Sequence, residues 1–324
     1  MGMKWYVVRR VGWALIATYL ILSITWGLLA AAPNQQVQQA QIEAAQRGDS
    51  PEEAKERIEK VRGMDRPLWE RYSNYMINIV TLNWGWSESR SQPVTEAIWN
   101  SLYYTAQYSI PWTLLTITLG PAIGLYSAAN QYTTKDHIAT FFAFFGYAIP
   151  NFWFGIILLL VFGVYLGWIP VVYNSDVPVF SLENAKQLIL PVFVLTTGSI
   201  GSIMRVSRNE SAEYLNADFT KTARAKGAKS RRILTRHILR PASVPMSTTF
   251  VGTMLYLFIG SSYLVEVVFG IPGLGELTLS AITSQDTALV LGTSFIGVFV
   301  AVIGNLLQDI TYTILDPRID FGDR

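Results

Sequence analysis

Long apolar runs separated by polar stretches dominate the hydropathy pattern, and each run has the length of a membrane crossing. About 20 apolar residues suffice, because a rise of about 1.5 Å per residue must cover about 30 Å of hydrocarbon. Val11 to Ala32 is such a run, inside a window without charge that extends to Ile42. Tyr108 to Ala129 lies within the charge-free window Ala97 to Thr134, and between His137 and Ser175 there is no Asp, Glu, Lys or Arg. Leu188 to Met204, Met246 to Val265 and Thr287 to Gln308 complete the set. The pattern predicts an all-α integral membrane protein with six transmembrane helices.

Lys4, Arg9 and Arg10 precede the first run and Ala30-Ala31-Ala32 ends it, the order of a signal peptide. Its apolar core exceeds the roughly 7 to 15 residues of a signal h-region, so it reads as an uncleaved first helix. Basic residues then set the orientation. The stretch Arg205 to Pro245 carries ten basic and three acidic residues, a balance of +7, whereas Pro33 to Asn100 carries eight and ten, a balance of −2. Both termini and the basic loop are therefore expected in the cytoplasm, and 33–96 outside. The division that follows is a stub and first helix (1–32), an extracytoplasmic helical segment (33–96), a five-helix core (97–316) with its cytoplasmic loop (205–245), and a cytoplasmic tail (317–324).

The outer segment has local signals of its own. Ser50-Pro51-Glu52-Glu53 has the order of a capping box with proline at the first helical position, and its helix should end near Gly63. After Asp65, the residues Leu68, Tyr72, Tyr75, Met76 and Ile79 share one helical face. Trp84, Trp86 and Trp99 lead back to the bilayer, where indole rings favour the interface. The segment reads equally as a docking platform for an external partner and as a cap on the helix bundle.

Composition narrows the chemistry. Of 324 residues, 51% are hydrophobic and only 15% charged, against about 25% charged in soluble chains. That excludes disorder and disfavours a soluble enzyme. The absence of cysteine excludes a disulfide scaffold, a thiol nucleophile and a zinc–thiolate site, and two histidines distant in sequence, His137 and His237, make a metal cluster improbable. The basic loop lacks the aromatic interleaving of a nucleic-acid surface, so no nucleic acid is expected as a partner.

Within that loop, Lys221-Thr222-Ala223-Arg224-Ala225-Lys226-Gly227, followed by Arg236-His237 and Pro245, resembles the cytoplasmic loop of ATP-binding-cassette importer permeases. The similarity is to their type I transmembrane domain and, within it, to the B-type subunit of the dipeptide/oligopeptide/nickel branch. The superfamily's Glu-Ala-Ala-x-x-x-Gly places Lys221 where glutamate usually stands, a substitution that resembles the peptide branch. Asp65-Arg66-Pro67-Leu68 with Tyr72, Ala148 to Trp153, Glu266 to Gly275 and Asp316-Pro317-Arg318 resemble further stretches of the branch in the same order.

The resemblance implies a permease subunit moving peptides or similar solutes inward by alternating access. It implies two ATP-binding subunits, an extracytoplasmic solute-binding protein and a second related permease, with ATP and magnesium on the partner subunits and no cofactor or catalytic residue here. The chain lacks G-x-x-x-x-G-K-[ST], which agrees with that division of labour. The residues from Lys221 to Gly227 with Arg236 and His237 would couple it to the ATPases, through a short helix whose small Ala223 and Ala225 approach a cleft. Glu266, Pro272, Gly273 and Gly275 form an outer turn, with Glu266 read as fixing the turn rather than lining a solute mouth. Thr196, Thr197, Ser199, Ser261 and Ser262 are candidates for a translocation path, although small hydroxyl residues also serve helix packing. Two alternatives stand beside this reading. A stand-alone secondary transporter would need ionisable groups at midplane, and an intramembrane enzyme would need a partner carboxylate for Asp309.

Overall fold

The computed structural model describes residues 3–32, 35–61, 63–243, 246–247 and 263–315, and apart from one short hairpin its regular elements are helices. Helix α1 (Met3–Ala31) leaves most of its side chains exposed, as a helix bathed in lipid would. Among the three helices that follow, α2 (Gln35–Arg47) and α3 (Pro51–Val61) pack on each other and α4 (Leu68–Val80) packs on α1. The Ser50 hydroxyl accepts the Glu53 N–H at 3.4 Å, as an N-cap does. Tyr75 and Ile79 are buried against Leu22 of α1, with Tyr72 and Met76 beside them. Leu68, expected on the same face, stands 63% exposed, because it sits in the first turn beyond the reach of α1.

The hairpin β1 (Trp86–Ser87) and β2 (Gln92–Pro93) is held by a carboxylate nearly 200 residues away. Asp286 accepts from the Ser87 hydroxyl at 2.7 Å and from the Ser89 N–H and hydroxyl at 3.0 and 2.8 Å. Its other oxygen accepts the Leu289 N–H at 3.1 Å and so caps the last helix. Burial opposes ionisation of Asp286, but the donors from Ser87, Ser89 and Leu289 outweigh it and hold the carboxyl below its ordinary range. A second tie joins Arg90 to Glu276 at 3.0 Å.

The core is a pair of long helices, α5 (Val94–Ala129) and α8 (Leu182–Leu215), lying against each other, with α6 (Thr134–Ala148) on α8. Close approach is permitted by glycine, since membrane helices associate through small residues rather than through apolar burial. A Cβ on Gly120 would lie 2.7 Å from the Ile203 side chain, and one on Gly201 2.6 Å from the Ala143 carbonyl. The Ser207 hydroxyl, buried in the same seam, donates to the Pro121 carbonyl at 3.0 Å.

Three expectations about the spans change here. The second and fourth are longer than their apolar cores, because Thr, Asn and Ser positions facing other helices continue them; α8 carries Arg205, Arg208, Glu210 and Glu213, which the sequence pattern had assigned to the loop. The third is not one rod: α6 and α7 (Asn151–Leu158, continued as a π-helical stretch to Tyr165) meet at 99°. Ile149, preceding Pro150, is driven to extended φ/ψ, which stops the helix. The fifth, expected over Met246 to Val265, lies mostly outside the described residues. Its visible end, α11 (Tyr263–Phe269), turns through 95° into α12 (Leu274–Thr283), a helix the apolar pattern did not foresee. Helix α13 (Thr287–Leu315) closes the described chain. By length and apolarity, α1, α5, α8 and α13 can each cross a membrane, and the two bent pairs meet the same criterion jointly.

Candidate coupling and turn sites

The end of α8 delivers the chain into α9 (Asp218–Ala225). Ala217 is extended and Asp218 opens the helix, where a negative charge meets the exposed N–H groups favourably. Thr220 is fully buried and its hydroxyl donates to the Tyr214 carbonyl at 2.8 Å, fastening α9 to α8. Gly227 ends the helix. Its φ of +76° is left-handed, its N–H donates to the Arg224 carbonyl at 2.9 Å, and the Ala228 N–H donates to the Ala223 carbonyl at 3.1 Å. That pair of bonds is a Schellman cap, which requires a residue at ease with positive φ. A Cβ on Gly227 would meet nothing within 4 Å, so glycine is required by the backbone and not by crowding.

The faces of α9 correct one expectation. Ala223 is 8% exposed and packs towards the protein's own body, as its position three residues after Thr220 dictates. It therefore cannot be the contact that brings α9 close to an external cleft. The outward face carries Phe219, 48% exposed, with Lys221, Thr222, Arg224, Ala225 and Lys226 also exposed. Phe219 was missed in the sequence. Its mark in the sequence is a lone aromatic within the polar stretch Asn216 to Lys226. Lys221 pairs with Asp218 at 3.0 Å on the open surface. Beyond Gly227, α10 (Ser230–Arg232) passes into a π-helical stretch, Ile233–Leu239, with Ile233 and Ile238 buried, Arg236 exposed and His237 half-buried.

A second constellation lies at the α11–α12 bend. Glu266 is fully buried. Its carboxylate accepts from the Tyr108 hydroxyl at 2.6 Å, the Thr105 hydroxyl at 3.0 Å and the Glu276 N–H at 2.8 Å. Thr105 in turn accepts the Leu274 N–H at 2.8 Å. Gly275 lies so near Tyr263 that a Cβ would be 2.8 Å from its Cα, and Gly273 abuts Glu266 itself, with Pro272 between the two helices. The carboxylate thus ties α5, α11 and α12 together.

Of the hydroxyl set, Thr197 and Ser199 are half-buried. Thr197 donates to the Phe193 carbonyl at 3.0 Å, and Ser199 accepts from the Trp112 indole at 3.2 Å. Thr196 is buried with its hydroxyl unpartnered among the described residues. Ser261, Ser262 and Pro245 lie outside the described residues, as does the side chain of Asp309. A further ion pair, not foreseen, locks the α5–α6 turn to α8. Arg208 meets Asp136 at 2.8 Å, and Asp136 also accepts from Ser127 and from the Tyr132 N–H at 3.0 Å.

Residues 120–321 match the family described as binding-protein-dependent transport system inner membrane component. The chain belongs to this family. The match takes in α9, the Glu266 turn and both bent helix pairs, and begins after the hairpin and helices α2 to α4. Full-length relatives carry the likeness through that earlier part as well. The oligopeptide transport system permease protein AppB of Bacillus subtilis is 35% identical, over 98% of this chain and 99% of its own length. The oligopeptide permease protein OppB of Haemophilus influenzae is 29% identical, over 98% and 99%. The dipeptide permease protein DppB of Escherichia coli is 27% identical, over 97% and 98%. The protein is thus a multi-pass membrane permease component of an ATP-binding-cassette importer, a system that works with partner components.

Proposed function

We propose that this chain is one of two related permeases in an importer of peptides, with two ATP-binding subunits inside and a solute-binding protein outside. The solute class rests on relatives named for oligopeptide and dipeptide transport. The architecture is read as six crossings, each bent pair counting as one, with both termini in the cytoplasm and 33–96 outside. ATP and magnesium reside on the partner subunits, since the chain lacks a phosphate loop.

The observation that carries the reading is α9. It is a short helix fastened to a long one through Thr220, stopped by a glycine cap, and presenting Phe219 and a basic rim outward. Closure of the ATPases moves rigid bodies, and an element coupled to that motion must itself be rigid and must grip its partner. Here the grip comes from Phe219, Thr222 and Ala225, with Lys221, Arg224 and Lys226 as the rim. Exposed ion pairs contribute only about 0 to 1 kcal/mol each, so the apolar contact is decisive. Outside, the doubly tied hairpin and α12 form one firm surface for the binding protein.

The test is a photo-crosslinking residue placed at Phe219 and, as control, at Trp13, which is 62% exposed on α1. Adducts of the Phe219 position with an ATP-binding subunit, and of the Trp13 position with lipid alone, are expected. ATPase adducts from neither position would remove the coupling role from α9.

A further inference from the structure

Between α1, α4, the hairpin and the start of α13 lies a cavity of about 760 Å³, used by neither site above. Clefts of roughly 300 to 1,000 Å³ are the size that holds small ligands. One wall is apolar and aromatic, formed by Trp26 and Leu29 of α1, Leu291 of α13, and Trp84. The opposite wall belongs to α4 and presents Arg71, Asn74, Asn78 and Tyr75.

The cavity lining carries Lys60, Arg66 and Arg71 against Glu88 and Asp286, three basic and two acidic side chains. Arg71 is half-buried and its guanidinium makes no ion pair or hydrogen bond with any other described residue, whereas Arg66 is paired with Glu70 at 3.1 Å. Asp286 borders the cavity too, but its oxygens are occupied by Ser87, Ser89 and Leu289.

Position selects the ligand class. The Trp26–Ala32 side of the cavity is the end of a membrane-crossing helix whose surface is otherwise open, and indole rings favour headgroup depth. A soluble anion would use the cation and the amides but not the apolar wall. A molecule with a phosphate and attached methylenes uses both.

We propose that this cavity holds the headgroup of an anionic phospholipid from the leaflet on that face, with Arg71, Asn74 and Asn78 on the phosphate and Leu29 and Leu291 against its first methylenes. The bound lipid would fasten α4 to α1 and α13, where Tyr75 and Ile79 rest on a span whose side chains are otherwise largely exposed. The proposal requires that the chain sit in a membrane, which its family establishes, and is independent of which face is outside.

The test uses the full chain in its assembled complex, delipidated in detergent and titrated with phosphatidylglycerol or with phosphatidylcholine of the same chain length, read by native mass spectrometry. Phosphatidylglycerol is expected to be retained about fivefold better, the scale of one cation acting near a membrane surface. Arg71→Gln should abolish that preference, and Lys229→Gln, at the other end of the protein, should preserve it. Equal retention of the two lipids would overturn the proposal, as would a preference unchanged in Arg71→Gln. Displacement of the lipid by free glycerol phosphate would assign the site to a soluble anion, and displacement by a peptide would assign it to solute. Either result would overturn the lipid assignment while leaving the transport reading intact.

Discussion

Replacing Gly227 by leucine separates the shape of α9 from the charge of its loop. The φ of +76° costs glycine nothing, whereas an L-residue there pays about 1 to 2 kcal/mol. No steric charge is added, because a Cβ at that position meets no atom within 4 Å. The whole penalty therefore falls on the Schellman cap, whose two bonds from Gly227 and Ala228 set the angle at which α9 leaves the loop. Against a global stability of about 5 to 15 kcal/mol the protein stays folded and inserted, but the capped conformation loses a factor of roughly 5 to 30 in population. Asparagine, which tolerates positive φ better than other residues, should fall between. The assay is ATPase activity of the reconstituted complex, stimulated by the liganded binding protein. Gly227→Leu should lose most of the stimulation, Gly227→Asn should retain much of it, and membrane insertion should be normal in both. Full stimulation in Gly227→Leu, or identical loss in both variants, would refute the argument from backbone conformation.

Other outcomes follow from the same structure. Glu266→Leu should destabilise the complex by on the order of 3 kcal/mol, because Tyr108, Thr105 and Glu276 lose their acceptor, and Glu266→Gln by less; thermal unfolding in detergent measures both. Asp286→Ala should free the hairpin and uncap α13, costing about 1 to 3 kcal/mol and exposing the Ser87–Arg90 stretch to protease. Because the folded-state pKa of Asp286 is depressed, its stabilisation should be complete above the unfolded value of about 3.9 and lost as pH falls through the lower folded value; acid unfolding of Asp286→Asn should lack that component. Cysteine at Ser50 should react with an impermeant thiol reagent in whole cells and cysteine at Ser230 should not, and the reverse pattern would invert the topology.

Much of the fold was legible because a bilayer imposes a simple rule. Every backbone polar group must be satisfied within the segment, so long charge-free runs become helices. Val11 to Ala32 and Thr287 to Gln308 needed nothing more. The reading failed where a local device interrupted the run. Pro150 converts one apolar stretch into two helices at 99°, and the Gly270–Gly273 turn leads into a helix whose Glu276, Thr278 and Ser280 dilute the apolar signal. It failed also where partners are distant in sequence. Nothing near Asp286 points to Ser87 and Ser89, and nothing near Asp136 points to Arg208. In the basic loop, spacing located Gly227 but not the facing of α9. Small Ala223 suggested close approach to a partner, whereas its smallness serves packing against the protein itself, and Phe219 is the large side chain left outward.

The central claim is that this chain carries solute only as part of an ATP-driven assembly. Uptake of labelled peptide into proteoliposomes containing this chain, its related permease and the two ATP-binding subunits tests it directly, with binding protein and peptide outside and ATP trapped inside. Uptake should require all of them, and it should vanish when ATP is replaced by a non-hydrolysable analogue. Uptake by this chain alone along a proton gradient, or undiminished uptake when the chain is omitted, would contradict the account.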